Sequence, residues 1–392
     1  MRFDPWNPDF VANPYEVYAD LREREPVSFF EPTGQWLIAT HADVNALLRD
    51  RRLGRSYAHV ATDAEFGREP NPAFQEPFWR VINAGMLDVE PPVHTRLRRL
   101  VSKAFTPRMV ESLRPRVRAI VEELVDAFVA KGGGDLIAEV AEPLPVTVIA
   151  EMLGIPPEDR HLLRPWSADI CGMYELNPSE QAQHTAVRAA DEFSAYLREL
   201  AKRPYGDDLI SALAQVEGLT EDELVGTCVL LLNAGHEATV NVTGNGWWSL
   251  FRNPDQLVRL RDDPGLLPTA VEELMRYDTP LQMFERWVLE DIEVGGVEIK
   301  RGTEVGLLFG SANHDPAVFE NPRELDVGRQ DNPHISFGAG IHFCLGAPLA
   351  RIELIESFGT LLRKAPKLEL RQEPTWNSGY IIRGLSALEV TT

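Results

Sequence analysis

A glycine-rich stretch with one cysteine, residues 337–351, constrains this chain more than any other feature. It reads FGAGIHFCLGAPLAR, and apolar residues at helical spacing follow it, which places Cys344 where a helix begins. A thiolate at that point faces backbone N–H groups and the positive end of the helix dipole, and both stabilise the anion. The neighbouring glycines have no Cβ, so backbone can pass close to a flat ligand. The stretch therefore favours an anionic sulfur beneath a large planar metal cofactor.

The same cysteine also has a simpler interpretation, because free cysteine commonly packs as a small buried hydrophobic residue. Its surroundings favour the role of a metal ligand, since the pattern F-x-x-G-x-H-x-C-x-G is matched in full. The matching residues are Phe337, Gly340, His342, Cys344 and Gly346. This pattern resembles the haem-thiolate loop of the cytochrome P-450 monooxygenases, and further matches follow in order from about Pro5 to Val390. The resemblance implies a cytochrome P-450 fold, haem b (iron protoporphyrin IX) as cofactor, and Cys344 as the iron ligand.

Composition limits the domain organisation and the partners. The 392 residues exceed the about 250–300 at which one hydrophobic core usually stops growing. No Pro-, Ser- or Gly-rich linker divides the chain, so we expect one large domain over residues 1–392. The formal charge of −21 argues against nucleic acid or an anionic membrane as a partner. The three cysteines form no C-x-x-C pair, which fits neither a disulfide framework nor a zinc site and suits a reducing cytosol.

The beginning of the chain gives no targeting signal. MRFDPWNPDF has no basic segment followed by an apolar one, and no apolar run approaches the about 20 residues that span a bilayer. We therefore expect a soluble, cytoplasmic, monomeric enzyme of the bacterial type, without a membrane anchor.

Amphipathic patterns predict a mainly α chain with small β-sheets, in agreement with the fold that the resemblance implies. The predicted helices are Asn13–Arg24, Ala42–Asp50, a helix opened by Pro91 and Pro92, Arg108–Lys131, Ala138–Gly154, Glu158–Met173, Glu180–Arg203, Thr220–Phe251 and Leu266–Tyr277. The run Gly132–Gly134 predicts a helix stop and a tight turn. Residues 51–90 are rich in Pro, Gly and aromatic residues and predict a long loop, which by resemblance covers the distal pocket. An ordinary surface loop is the alternative.

The predicted helix Thr220–Phe251 has an unusual centre that reads LLNAGHEATVN. A mid-helix glycine costs about 1 kcal/mol relative to alanine, so Gly235 needs a reason. Together with Ala234 it leaves room for a ligand, and Glu237 adds an ionisable group to an otherwise apolar helix. The alternative is a glycine at a helix crossing and a glutamate on a solvated face. By resemblance this segment is the oxygen-binding groove, and Glu237 is its proton-relay acid.

The residue after that acid departs from the family pattern A-G-x-[DE]-T-T. Ala238 stands where the family has a threonine, and a methyl group can neither hold nor relay a proton. Thr239 carries the nearest hydroxyl, but one residue further is about 100° around the helix axis. We therefore expect this hydroxyl to point away from the groove and to bond a carbonyl one turn back. Proton delivery assisted by a substrate hydroxyl near Glu237 would compensate for Ala238.

Two cations four residues apart, His94 and Arg98, share one helix face and could clamp a pair of carboxylates. Taken alone, the pair is equally a solvated basic face. The resemblance implies that His94 and Arg98, with Arg286 and His342, hold the haem propionates. It also places three residues of the cysteine loop against the cofactor, namely Phe337, Gly338 and Gly346.

Candidate pocket residues are mostly apolar or aromatic, which favours a hydrophobic small molecule and, by the resemblance, a natural product such as a polyketide. They are Phe78, Trp79, Met86, Leu230, Leu281, Phe284 and Ile381, with Asn233 and Gln282 as polar anchors. For Asn233 the alternative is a hydrogen bond to a neighbouring helix.

An E-x-x-R pair predicts a structural network. Glu273 and Arg276 form this pair, which by resemblance joins Arg323.

The helix that holds His94 also carries three cations, which form a basic patch on an acidic chain. This patch predicts the docking face for an acidic ferredoxin. The three cations are Arg96, Arg99 and Lys103.

The resemblance implies a monooxygenase that activates O2, the co-substrate, with electrons from a ferredoxin and its NAD(P)H-dependent reductase. No flavin domain or dinucleotide fingerprint occurs in the chain that could supply these electrons directly. Two alternatives stay open, a peroxide-driven peroxygenase and a non-enzymatic haem-thiolate sensor.

Overall fold

The computed structural model describes residues 2–392, which are mainly helical with small β-sheets, so the predicted fold class is confirmed at this level. The helices are α1 (Pro8–Ala12), α2 (Tyr15–Arg24), α3 (His41–Leu47), α4 (Glu76–Ile82), α5 (Val93–Ala104), α6 (Pro107–Ala130), α7 (Pro143–Leu153), α8 (Leu163–Cys171), α9 (Glu180–Ala201), α10 (Leu209–Ala214), α11 (Glu221–Arg252), α12 (Pro254–Asp262), α13 (Leu267–Tyr277), α14 (Phe309–Ala312) and α15 (Ala347–Lys364). The strands are β1 (Val27–Phe30), β2 (Gln35–Ile38), β3 (Leu53–Gly54), β4 (Gly133–Asp135), β5 (Met283–Val288), β6 (Ile292–Val294), β7 (Val297–Ile299), β8 (Glu304–Leu308), β9 (Glu369–Leu370), β10 (Thr375–Trp376), β11 (Leu385–Ala387) and β12 (Glu389–Thr391).

A five-stranded sheet in the order β1-β2-β8-β5-β3 carries two of the predicted site residues, Phe284 and Arg286 on β5. Strand β8 pairs in parallel with β2 and antiparallel with β5, in the register that sets Arg286 opposite Val305. Apolar side chains cover the sheet and form a core that includes Ile38, Val288 and Leu307. Arg286 is thereby fixed on a central strand, where only 3% of it is exposed.

The chain separates into two compact units. The first unit combines residues 2–53, 114–144 and 238–392, and it contains the five-stranded sheet, α13, α15 and the cysteine loop. The second unit combines residues 54–113 and 145–237, and it contains α4, α5 and α8–α10. The single domain over residues 1–392 stays a prediction.

The first turn of α11, the longest helix, follows directly from local sequence. The Thr220 hydroxyl accepts from the N–H of Glu223 at 3.2 Å, and the Glu223 carboxylate accepts from the N–H of Thr220 at 3.0 Å. This reciprocal capping box satisfies two of the N–H groups that a helix start leaves without intrahelical partners.

The glycine run stops α6 at Ala130, as predicted, but it is not only a turn, because Gly133–Asp135 pairs as β4 with β12 in antiparallel register. Two further local predictions are wrong in detail. Residues 51–90 are not one irregular loop, because they contain α4. The segment Ala138–Gly154 is not one continuous helix, since a wider helical turn at Ile137–Ala141 precedes α7.

Within the described residues, no helix is both long enough and apolar enough to cross a membrane.

Candidate functional site

The cysteine loop is closed by its own backbone. The N–H of Cys344 donates to the carbonyl of Phe337 at 2.9 Å, and α15 begins directly after Gly346. Gly338 has φ +67°, which side chains disfavour, and no atom lies within 4 Å of where its Cβ would be. A Cβ at Gly346 would lie 3.8 Å from the Cys344 sulfur. The loop therefore places a partly buried cysteine just before a helix, with open space beside the backbone of Gly338.

A charged pair braces this loop from α13 and α15. The Arg351 guanidinium donates to the Glu272 carboxylate at 2.5 and 2.8 Å, and it lies 4.5 Å from the ring centre of Phe337. His334 Nε2 is 3.0 Å from the same carboxylate. Burial opposes ionisation of Glu272, but the bonds from Arg351 and His334 outweigh it and lower its pKa to about 2. Arg351 also lies within electrostatic reach of Cys344, so its charge favours an anionic sulfur.

The middle of α11 has one accessible face. Accessible residues occur there at helical spacing, while Leu231, Leu232 and Asn233 between them are buried. The accessible residues are Leu230, Ala234, Gly235, Glu237 and Ala238. The face is therefore lined by small or apolar side chains around a single acid.

Gly235 has a packing reason as well. A Cβ at this position would lie 3.2 Å from Cδ1 of Ile149 on α7, which is closer than ordinary contact. The glycine therefore allows two helices of the second unit to approach closely, which supports the helix-crossing interpretation.

Glu237 has a neutral histidine beside it. His236 is 1% exposed, and its Nδ1 lies 3.2 Å from the Ser167 hydroxyl on α8 and 3.5 Å from the Glu237 carboxylate. Burial, with a smaller effect of Arg164, lowers the pKa of His236 to about 4. The imidazole is therefore uncharged at neutral pH, and Nδ1 lies between a hydroxyl and a carboxylate.

The sequence predicted that the Thr239 hydroxyl bonds a carbonyl one turn back, but it makes no such bond among the described residues. The Thr239 side chain is buried, and its hydroxyl lies beside the carboxyl group of Glu353 on α15. Burial raises the pKa of Glu353 to about 8, against a smaller opposing effect of Thr239. Oε1 of Glu353 has no hydrogen-bond partner among the described residues. Glu353 is therefore a buried, protonated acid at neutral pH.

The four predicted propionate-binding residues belong to both units. His94 and Arg98 lie on α5 in the second unit, where His94 is 2% exposed. Arg286 and His342 lie in the first unit; Arg286 donates to the carbonyl of Glu285 at 3.3 Å, and His342 ends a short helical turn before Cys344. Their binding of propionates stays a prediction.

The predicted pocket residues of the second unit are largely buried. Phe78 on α4 is fully buried and Met86 is 5% exposed, while Trp79 donates to Gln75 at 2.9 Å. Phe78 lies near Tyr174, with ring centres 6.5 Å apart. Tyr174 is thus a neighbour of the predicted pocket.

The predicted pocket residues of the first unit lie on two neighbouring segments. The N–H of Gln282 donates to the carbonyl of Ile381 at 3.0 Å, and Leu281 pairs with Ile382. The Gln282 side chain accepts from Tyr18 at 3.0 Å and donates to the carbonyl of Thr279 at 2.6 Å. Both the oxygen and the nitrogen of its amide are therefore hydrogen-bonded within the protein. Phe284, the remaining candidate, is half-buried on β5.

The predicted Glu–Arg–Arg network exists, but its third member is wrong. Glu273 and Arg276 are completely buried and joined by two bonds of 2.7 Å. The second arginine is Arg329, which donates to Glu273 at 3.0 Å. Arg323 instead pairs with Glu16, and both of these side chains are about half exposed.

Sequence reasoning missed two groups that the structure brings to the site. Ser167 comes from α8, and only a contact distant in sequence connects it to α11. Glu353 had a usable signal, because an acid in an apolar helical stretch without a cation three or four residues away is unusual.

Comparison with known proteins agrees with this geometry. A sequence model of the family described as "Cytochrome P-450" matches residues 179–366. The chain is 38% identical to the polyketide biosynthesis cytochrome P-450 PksS of Bacillus subtilis (strain 168), covering 100% of this chain and 98% of that one. It is 40% identical to the cytochrome P-450 monooxygenase PikC of Streptomyces venezuelae, covering 97% and 92%.

A solved structure has the same fold. The crystal structure of P-450BioI in complex with an acyl carrier protein ligated to hexadec-9Z-enoic acid superposes with a TM-score of 0.92 at 38% identity, covering 98% of this chain and 99% of that one. Coverage of 98% of this chain at 38% identity establishes a common family as well as a common fold. A cysteine loop at the start of α15, an acid-bearing helix and relatives aligned over nearly their whole length lead to one conclusion: the chain belongs to the cytochrome P-450 family of haem-thiolate monooxygenases.

Proposed function

We propose that this chain binds haem b through the Cys344 thiolate and oxidises a hydrophobic small molecule with O2, using electrons from a ferredoxin and its NAD(P)H-dependent reductase. The observation that carries the proposal is the position of Cys344, just before the first turn of α15 and within electrostatic reach of Arg351. A helix start and a nearby cation both favour a thiolate. When bound, haem with a thiolate ligand supplies O2 activation, since the electron-rich sulfur favours O–O cleavage.

The residues present fit a haem. Cys344 is only partly buried in a loop where Gly338 leaves open space, and Phe337 and Gly346 border it. The accessible face of α11 carries small side chains, which suit a group of large flat area. His94, Arg98, Arg286 and His342 are the cations that would hold the propionates.

The relatives support the substrate class. PksS is named for polyketide biosynthesis, and the P-450BioI structure contains an acyl carrier protein with a fatty acid. The candidate pocket residues here are predominantly apolar. We assign this chain a hydrophobic natural product of polyketide or fatty-acyl type.

Proton supply is the unusual part of the proposed reaction. Ala238 offers no hydroxyl, and the Thr239 hydroxyl is turned to Glu353 instead of the accessible face. Glu237 is therefore the acid on that face, with His236 beside it. A substrate hydroxyl or ordered water near Glu237 would hold the proton that the missing alcohol would otherwise hold.

Ligation is tested by the reduced carbon monoxide complex, which has a red-shifted band when the iron ligand is a thiolate. We expect the band in the unaltered protein and its loss in Cys344→Ser. Cys228→Ala is the control, because that cysteine is buried in the second unit. A band retained in Cys344→Ser contradicts the assignment.

The missing alcohol at Ala238 also favours a second candidate, a peroxide-driven peroxygenase, which needs no proton relay. Turnover with ferredoxin, reductase and NAD(P)H is compared with turnover with hydrogen peroxide on the same substrate. Faster turnover with the electron-transfer proteins supports the monooxygenase, and turnover with peroxide alone supports the peroxygenase.

A further inference from the structure

A buried amide in the second unit lacks hydrogen-bond partners. Asn233 on α11 is 4% exposed, and neither Nδ2 nor Oδ1 makes a hydrogen bond of normal geometry among the described residues. A buried polar group without a partner destabilises a fold by about 1–3 kcal/mol. Asparagine within a helix usually turns to local backbone, but Asn233 does not. The amide is therefore a buried hydrogen-bonding group that the fold leaves unsatisfied.

The Tyr174 hydroxyl is the polar group next to this amide. Burial raises the pKa of Tyr174 well above its usual range, Cys171 and Asp88 add to the rise, and Arg55 and Asn233 oppose it. The amide thus lies close enough to influence the phenol without bonding it at normal geometry. Tyr174 as a residue is only partly buried, unlike Asn233.

The surroundings decide which ligand chemistry fits. Phe78 packs near Tyr174, and Leu230 lies on the accessible face of α11 one turn before Asn233, so the neighbourhood is apolar. Negative charge is disfavoured, because Glu237 lies one turn further along α11 and Asp88 lies near Tyr174. Arg55 is already bonded to Asp88 at 2.9 Å. A neutral oxygen fits this place better than a carboxylate.

We infer that Asn233 and Tyr174 form a neutral polar anchor that binds a carbonyl or hydroxyl oxygen of the hydrophobic substrate. This inference rests on the proposed function and narrows its substrate class to neutral, oxygen-bearing molecules. Four residues of helix rise by about 6 Å, so the anchored oxygen lies about one turn from Glu237. When the anchored oxygen is a hydroxyl, the anchor therefore also brings that hydroxyl near Glu237. The residue after Glu237 is Ala238, which has no hydroxyl of its own.

The test compares two ligands of equal size, cyclopentadecanone and cyclopentadecane, on the haem-loaded protein. Dissociation constants come from the shift of the haem band and, independently, from calorimetry. We expect the ketone to bind about tenfold tighter, a preference typical of one buried hydrogen bond. In Asn233→Leu this preference falls to near one, and in Tyr174→Phe it is reduced. Leu230→Ala is the matched control, which weakens both ligands alike and keeps the preference.

Equal binding of ketone and hydrocarbon by the unaltered protein overturns the anchor, and so does a preference that survives in Asn233→Leu. Asn233→Asp, of nearly the same size, removes the N–H donor and also loses the preference if Asn233→Leu does not fold. Tighter binding of pentadecanoic acid than of the ketone contradicts the neutral class. Failure of the proposed thiolate ligation is separate, because haem-loaded protein would then lack the red-shifted carbon monoxide band while calorimetry on the same protein still measures the preference for the ketone.

Discussion

Replacing the buried acid Glu353 by glutamine should stabilise the protein at alkaline pH. Glu353 is 2% exposed on α15, and Thr239 lies beside its carboxyl group. Burial raises the pKa of this carboxyl from 4.5 to about 8. The difference corresponds to about 5 kcal/mol, at 1.36 kcal/mol for each factor of ten in proton affinity.

The direction with pH follows from the two states. Between about pH 4.5 and about pH 8 the folded protein keeps a proton on Glu353 that the unfolded chain releases. The stability from this proton is complete below pH 4.5 and is lost as pH rises through 8. Glu353→Gln has no proton to lose. Its stability relative to the unaltered protein should therefore rise with pH, by as much as about 5 kcal/mol.

Urea unfolding of the haem-loaded protein from about pH 5 to about pH 9 measures this difference. Glu356→Gln is the matched control one turn further along α15. Burial opposes ionisation of Glu356, but Arg118 at 2.8 Å and Arg114 at 3.2 Å lower its pKa, so its replacement should destabilise the protein at neutral pH. Parallel pH profiles for Glu353→Gln and the unaltered protein would refute the reasoning. So would the absence of the infrared band of a protonated carboxyl at neutral pH.

Three further outcomes are expected. Charge reversal at Arg99 or Lys103, both exposed on α5, should slow reduction by ferredoxin and weaken its salt dependence, and unchanged kinetics would exclude this face. Arg329→Met should lower the free energy of unfolding by about 3 kcal/mol, because it removes a cation from the buried carboxylate of Glu273. Arg323→Met should lower it by less than about 1 kcal/mol, and equal losses would contradict the assignment of Arg329 to the network. Ala238→Thr should improve the coupling of NAD(P)H use to product for analogues that lack a hydroxyl, and tight coupling of those analogues in the unaltered enzyme would rule out substrate assistance.

The features that the sequence predicts correctly are local ones. The capping box of Thr220 and Glu223 needs only residues three apart, and the start of α15 after Cys344 needs only a glycine loop followed by apolar periodicity. The cysteine pattern also identified the family, because five residue types at fixed spacing combine into a specific signal.

The features it missed depend on partners far away in the chain. Arg329 was passed over for Arg323, because both follow Arg276 in one irregular segment and only the folded path shows which reaches Glu273. The sequence predicts that the Thr239 hydroxyl bonds its own helix, but the polar group beside it is Glu353 on another helix of the first unit. Local patterns cannot rank such tertiary partners.

One carboxylate fastens two helices of the second unit together. Glu223 caps α11 through Thr220 and accepts from Arg96 of α5, whose guanidinium also reaches the carbonyl of Gly218 at 2.9 Å. Arg96 is therefore committed to its own protein, unlike Arg99 and Lys103 on the same helix. The far part of α5 is held as well, because Leu100 and Val101 on it are buried. Arg99 and Lys103 therefore extend from a helix whose backbone is fixed at both of its ends.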